Sequence, residues 1–156
     1  MRLKCLWIGG TKDPVYARLE TEYSQRVQSF VPLEIAVVPE ARKVDPRKYA
    51  SQLDKEARLL EKKIGLKSYL VILDEKGKEF TSRRFADFFQ GQMNRSTSEI
   101  VFLAGGHLGI PGRLSERADL ILALSRLTLP HEMARVLLLE QIYRSFSIIR
   151  GLPYHR

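Results

Sequence analysis

Apolar residues along this chain follow two alternating spacings. Nearly continuous apolar runs occupy residues 3–9, 33–38, 68–73, 100–104 and 120–124. They are strand-sized, and their continuity predicts strands covered on both sheet faces. Between them apolar residues recur at helical spacing: Val15, Leu19, Tyr23 and Val27, then Tyr49, Leu53, Leu60 and Ile64, then Phe85, Phe88, Phe89 and Met93. A short helix from about Pro111 precedes the fifth strand, and a long one follows the loop at 125–130 and runs to about Ile148. Asp13-Pro14 and Asp45-Pro46 read as helix starts, because Asp accepts from free first-turn N–H groups and Pro fits the first helical position. Gly65 reads as a helix stop, and residues 74–78 with Gly77 as a turn ending the third strand. Strands interleaved with helices predict a single α/β domain over residues 1–156, a mainly parallel sheet of five or six strands flanked by helices.

The last helix is apolar over more than one stripe: Met133, Ala134, Val136, Leu137, Leu138, Leu139, Ile142, Tyr143 and Phe146. A helix lying on a core needs only about 100° of apolar face. Either it is buried within the chain, or it packs on the sheet with one side and on a second copy with the other. The size of the domain favours the second, a homodimer through the last helix.

Composition narrows the function. At 156 residues the chain is long enough for a hydrophobic core without cross-links, and its single cysteine, Cys5, rules out an intrachain disulfide and a multi-cysteine zinc site. Cys5 sits in the first strand and reads as core. No apolar run approaches a membrane span or signal-peptide core, so a cytoplasmic protein without membrane association is expected. The formal net charge of +8 is the footprint of a nucleic-acid binder. The excess is uneven. Residues 40–67 hold nine basic and five acidic residues, residues 68–112 five of each, and residues 113–156 seven arginines against four acids. Arginine's planar fork suits phosphate oxygens.

In parallel sheets ligands bind beyond the carboxyl ends of the strands. Three such ends carry unusual residues: Leu73-Asp74, Ala104-Gly105-Gly106, and Leu124-Ser125-Arg126-Leu127-Thr128-Leu129 before Pro130-His131. Paired glycines let the backbone approach a ligand. A leucine-rich loop with Ser and Thr offers apolar walls and main-chain hydrogen bonds to a flat ring such as adenine. No G-x-G-x-x-G follows the first strand, no Walker A sequence is present, and no serine stands in a G-x-S-x-G elbow. The spacing of His107, His131 and His155 fits no metal motif, so no metal is expected. The terminal Tyr154-His155-Arg156 places an aromatic ring, an imidazole and a guanidinium together. It is either a frayed end or a docked tail that supplies stacking, proton transfer and phosphate contact.

Four segments in order carry a resemblance. They are Val71-Ile72-Leu73-Asp74 with Gly77-Lys78; Phe102-Leu103-Ala104-Gly105-Gly106 with Gly109; Leu124-Ser125 with Thr128-Leu129-Pro130-His131 and Arg135; and Glu140-Gln141 with Tyr143-Arg144 and Tyr154-His155-Arg156. Over essentially its whole length the chain resembles the small SPOUT-class methyltransferases that modify N3 of a pseudouridine in bacterial 23S ribosomal RNA. The resemblance implies a C-terminal trefoil knot, S-adenosyl-L-methionine as cofactor and an obligate homodimer. It implies cofactor contacts from Leu73, Gly105, Leu124, Ser125, Arg126, Leu127, Thr128 and Leu129. For catalysis it points to the tail, with His155 as proton acceptor, Arg156 or Arg135 as the positive group and Tyr154 as partner of the base. The basic second helix and the C-terminal arginines are then expected to hold the RNA of the assembled ribosome. Two rivals remain: a methyltransferase of another RNA such as transfer RNA fits the physics as well, and a non-catalytic ribosome-associated RNA-binding factor explains the charge but not the glycine and Leu-Thr-Leu-Pro loops.

Overall fold

The computed structural model describes residues 1–40, 47, 49–106 and 109–155. In chain order they form β1 (Arg2–Ile8), α1 (Pro14–Gln28), β2 (Leu33–Val38), α2 (Tyr49–Lys63), β3 (Tyr69–Glu79), α3 (Ser82–Asn94), β4 (Glu99–Ala104), α4 (Gly112–Arg117), β5 (Leu120–Ala123) and α5 (His131–Ile149), followed by a 3-10 turn (Pro153–His155). The five strands make one sheet in the order β2-β1-β4-β3-β5, and every pairing is parallel.

The continuous apolar runs arise because successive side chains enter different cores. Leu3, Cys5 and Trp7 of β1 join Phe102 of β4, Val71 of β3, and residues of α1, α3 and α5 on one face. Leu6 and Ile8 join Val101, Leu103, Leu70 and Ile72 with α2 and α4 on the other. A period of two along each strand thus puts apolar residues at every position. Helix starts follow local chemistry. Asp13 Oδ1 accepts from the Val15 amide at 2.7 Å ahead of Pro14; the Asp45-Pro46 start lies outside the described residues. Val15, placed on the α1 apolar stripe by its spacing, is 64% exposed.

Two elements differ from the sequence expectation. The turn at 74–78 is an outward excursion of a longer strand: Leu73 pairs with Leu122, and Lys78 returns to pair with the same Leu122 before Glu79 pairs with Ala123. The width of the last helix is largely absorbed within the chain. α5 lies between α1 and α3 over the sheet and buries Leu138, Leu139, Ile142 and Phe146, while Met133 is exposed and Val136 and Leu137 are half-buried.

Its first turn is fixed to the end of β1. Glu132 accepts from the amides of Lys12 and Asp13 at 2.7 and 3.2 Å, and Arg135 Nη2 donates to the Ile8 carbonyl at 2.8 Å. β5 lies at the sheet edge beyond β3, so residues 124–130 must pass the carboxyl ends of β3 and β4 to reach β1. No helix of the described residues is long and apolar enough to cross a membrane.

Candidate functional site

The excursion of β3 and the passage from β5 to α5 face each other and enclose a cleft. Asp74 Oδ1 accepts from the Lys76 amide at 2.8 Å and rounds the 74–77 segment into a turn. Gly77 then approaches β5 so closely that a Cβ there would stand 2.7 Å from the Ile121 carbonyl carbon and oxygen. On the opposite wall Ser125 Oγ accepts from the Leu127 amide at 2.9 Å. Two side-chain ties join the walls: Thr128 Oγ1 donates to Glu75 Oε2 at 2.6 Å, and Arg126 Nε to Glu79 Oε2 at 2.9 Å. Both ties are exposed, so each contributes little stability and is readily exchanged for a ligand.

The cleft is open and has a volume of about 180 Å³. Of the residues marked from the sequence, Leu73, Gly105, Leu124, Ser125, Leu127, Thr128 and Leu129 line it. Arg126 does not, because its guanidinium turns outward to Glu79. Asp74 and Ala104 belong to strand ends that the sequence marked, and His131 closes the third marked segment; sequence reading missed Glu75, Leu122 and Ala134 as wall residues. Glu75 was legible only as a turn residue, since nothing local shows that β3 resumes after it. A Cβ on Gly105 would meet Ile110 Cγ1 at 3.0 Å, so glycine keeps that strand end flush with the floor. Leu127 is 75% exposed, an apolar side chain left in water at the mouth.

Arg135 lies one α5 turn from His131 and is only 2% exposed. Its Nη1 donates to Thr11 Oγ1 at 3.0 Å and its Nη2 to Ile8, while its guanidinium rests 5.7 Å from the Trp7 ring. Thr11 Oγ1 and Trp7 Nε1 in turn donate to Glu20 at 2.6 and 2.7 Å. Burial pushes the Arg135 pKa down, and the charges of Glu20, Glu132 and Glu40 oppose that shift. Arg135 is therefore a buried cation that holds the loop after β1 against α5.

The tail is docked on its own chain. Gly151, at φ +68°, reverses the chain after α5, and the Leu152 amide donates to the Ser147 carbonyl at 2.9 Å. Tyr154 then packs edge-on against Tyr143, with ring centroids 4.6 Å apart, beneath the Arg144 guanidinium at 4.8 Å. Its hydroxyl donates to Glu140 Oε1 at 3.2 Å and lies 3.4 Å from the Tyr23 hydroxyl. Desolvation foremost, with these partners, raises the Tyr154 pKa above its ordinary value. Glu140 is the hub, accepting also from Arg144 Nε at 2.9 Å. Of the tail residues, the backbone of His155 closes the 3-10 turn, and Arg156 lies outside the described residues, as does His107. Ala134 in the cleft and Arg144 under Tyr154 are ten residues apart on α5, about 15 Å along its axis. Within one chain the tail anchor and the cleft are separate sites.

A profile of the family described as predicted SPOUT methyltransferase matches residues 1–155. The chain belongs to the SPOUT methyltransferase family. It is 42% identical over 155 residues to a protein of Geobacter metallireducens named ribosomal RNA large subunit methyltransferase H, covering 99% of each chain. Proteins of the same name from Parabacteroides distasonis and Streptococcus pyogenes are 35% and 34% identical, over 99% and 100% of each chain respectively.

A SPOUT methyltransferase needs a methyl donor, and the cleft residues fit one that joins a flat apolar ring to a cation. Leu73, Leu124, Leu127 and Leu129 give apolar walls, Gly105 leaves the floor flat, and Asp74 and Glu75 put two carboxylates on one rim. Among the described residues no group of three or more His, Cys, Asp or Glu side chains could hold a metal ion. The basic second helix lies elsewhere in this SPOUT enzyme. α2 runs antiparallel to the strands it connects, so exposed Lys62 and Lys63 at its C-terminus lie near the amino edge of the sheet.

Proposed function

We propose that this SPOUT methyltransferase transfers the methyl group of S-adenosyl-L-methionine to N3 of a pseudouridine in 23S ribosomal RNA of the large subunit. In this reading it acts in the cytoplasm as a homodimer, with a C-terminal trefoil knot. The observation that carries the reading is the meeting of Leu73, Gly105 and the loop residues Leu124, Ser125, Leu127, Thr128 and Leu129, far apart in the chain, in one cleft. The name shared by its relatives points to the ribosomal substrate. The knot reading draws on the passage of residues 124–130 beneath the carboxyl ends of two strands before α5 begins.

When bound, the cofactor supplies an electrophilic methyl on a sulfonium. Every other task falls to the protein. The leucines exclude water, the main chain at Gly105 and the 124–129 loop orients the flat ring, and Asp74 with Glu75 favours the cationic end. The acceptor nitrogen carries a proton that must leave as the bond forms, and charge spreads to the flanking carbonyl oxygens. His155 is assigned as the proton acceptor, with Arg156 and buried Arg135 as sources of positive field. Because Tyr143 and Arg144 already pack against the Tyr154 ring, Tyr154 is assigned to anchor the tail. The separation of about 15 Å on α5 supports completion of each cleft by the partner's tail. Half-buried Val136 and Leu137 and exposed Met133 on α5 are the apolar surface offered for that pairing.

Calorimetry with S-adenosyl-L-methionine tests the cofactor, and mass spectrometry of ribosomal RNA from a strain lacking the gene tests the target. Binding, together with loss of one methyl from a 23S pseudouridine, is expected. An absence of binding would favour a non-catalytic factor, and a methyl lost from transfer RNA instead would reassign the substrate.

The ribosome must also reach around to α2 if its basic face contributes. Reversing Lys62 and Lys63 to Glu is expected to weaken ribosome binding several-fold at low salt and flatten its salt dependence. Unchanged affinity would confine the RNA contact to the carboxyl edge.

A further inference from the structure

A second cavity opens beside the first. It measures about 280 Å³ and is lined by the end of β1, by Lys12, Tyr16 and Glu40, and by His131, Glu132 and Arg135 at the start of α5. His131 is common to both clefts, so they are adjacent at the start of α5. In-line methyl transfer needs donor and acceptor atoms about 3–3.5 Å apart, so the receiving base must occupy space that touches the donor cleft.

Two other cavities can be weighed against it. One, of about 670 Å³, is lined by Met1, Phe30, Thr97 and Arg150 at the amino edge of the sheet, a strand length away. Another, of about 270 Å³, shares Leu122 and Leu124 with the donor cleft, but no charged side chain among the described residues lines it. Transfer to an imide nitrogen spreads negative charge onto two carbonyl oxygens, and an uncharged pocket leaves that charge unanswered. The Lys12–Tyr16–Arg135 cavity answers it. Lys12 is exposed at its rim and forms no ion pair with the described residues. Arg135 is a buried cation whose Nε has no hydrogen-bond partner among the described residues. The carboxylate of Glu132 is engaged by the Lys12 and Asp13 amides, which leaves it less able to repel a carbonyl. Half-buried Tyr16 supplies an aromatic face, the feature that replaces stacking for a base drawn out of an RNA helix.

We infer that this cavity receives the target base, a planar pyrimidine with an imide N–H flanked by two carbonyls, with Tyr16 stacking on the ring and Lys12 facing a carbonyl oxygen. This inference rests on the methyltransferase reading above. It also gives the bond from Arg135 to Ile8 a purpose: it holds the Gly9–Lys12 wall at a set distance from the donor cleft.

The test measures methylation of large ribosomal subunits at saturating S-adenosyl-L-methionine, with cofactor affinity measured separately. Tyr16→Ala is expected to lower kcat/KM for the ribosomal substrate about 10- to 100-fold, in line with the loss of one base–aromatic stack, and to leave cofactor affinity within twofold. Tyr16→Phe keeps the ring and should stay within about threefold of wild type. Lys12→Met should lower kcat more than it raises KM, because its charge matters as the transition state forms. Full activity of Tyr16→Ala and Lys12→Met, equal losses for Tyr16→Phe and Tyr16→Ala, or a loss that tracks cofactor affinity would each overturn the assignment. Wild-type protein that binds no S-adenosyl-L-methionine would instead defeat the underlying reading.

Discussion

Removing Tyr154, His155 and Arg156 is expected to abolish ribosomal RNA methylation while affinity for S-adenosyl-L-methionine stays within about twofold. A positioned proton acceptor contributes about 10²–10⁴ in rate, and a positive group facing developing charge about 10²–10³. Loss of both should exceed about 10³-fold. The cofactor cleft should survive, because no tail residue among the described residues lines it. The cut ends before α5 loses its packing, so the fold should persist; Tyr154 contributes only an edge-on ring contact, a cation–π contact and part-buried hydrogen bonds. Glu140→Gln gives a milder test, since it weakens the hub that fixes Tyr154 and Arg144 without removing any tail atom. Its activity should lie between wild type and the truncation.

Mixing separates a tail that serves its own chain from one that serves its partner. A truncated protomer keeps an intact cleft, and a Thr128→Trp protomer has a filled cleft but an intact tail. Each should be inactive alone. If the tail crosses, subunit exchange restores activity in the mixed dimer. A mixture that stays inactive after exchange would place the tail in its own cleft, which the 15 Å between Ala134 and Arg144 along α5 opposes.

The second large effect concerns a residue that touches no ligand. Gly77→Ala is expected to destabilise the protein by about 3 kcal/mol, the upper part of the range for overpacking, and to weaken cofactor binding at least tenfold. The added Cβ would lie 2.7 Å from the Ile121 carbonyl group and 2.8 Å from the Leu122 carbonyl carbon. Backbone in a ladder cannot rotate away as a side chain can, so β3 and β5 must separate where Lys78 and Glu79 pair with Leu122 and Ala123. The Arg126–Glu79 and Thr128–Glu75 ties then lose their register. For a domain of this size 3 kcal/mol corresponds to roughly 6–12 °C in Tm. Gly91→Ala is the control. It lies in α3, nothing stands within 4 Å of its Cβ position, and it should raise stability by about 0.5–1 kcal/mol. Equal and small effects of the two substitutions would show that the β3 excursion is not held by close backbone contact.

Much of the architecture could be read directly from the chain. Runs such as residues 100–104 are apolar at every position because both faces of β4 are buried, and no half-exposed strand gives that pattern. Asp13-Pro14 marked a helix start because its hydrogen bond spans only two residues. The strand ends at Leu73, Gly105 and Leu124 were legible as candidates for the same reason, since the break from apolar run to glycine or polar loop is local.

Other features depend on partners distant in sequence. Residues 74–78 carry turn chemistry, and only the return of Lys78 to Leu122 turns the segment into a wall of the cleft. Arg135 sits in an apolar helix with no neighbour in sequence to explain it; its partners are Ile8 and Thr11, more than 120 residues away. The tail could not be told from a frayed end until Tyr143, Arg144 and Tyr23 surrounded Tyr154.

Sequence alone therefore determined the alternation of strands and helices, the basic character and the identity of the loops that meet in the cleft, because each follows from short-range spacing and residue type. The tertiary structure decided which loops face one another, that a second cavity shares His131 with the first, and that the tail is anchored away from its own cleft. Those depend on sheet order and on the path of residues 124–130, and contacts across such separations leave no periodic trace in the chain.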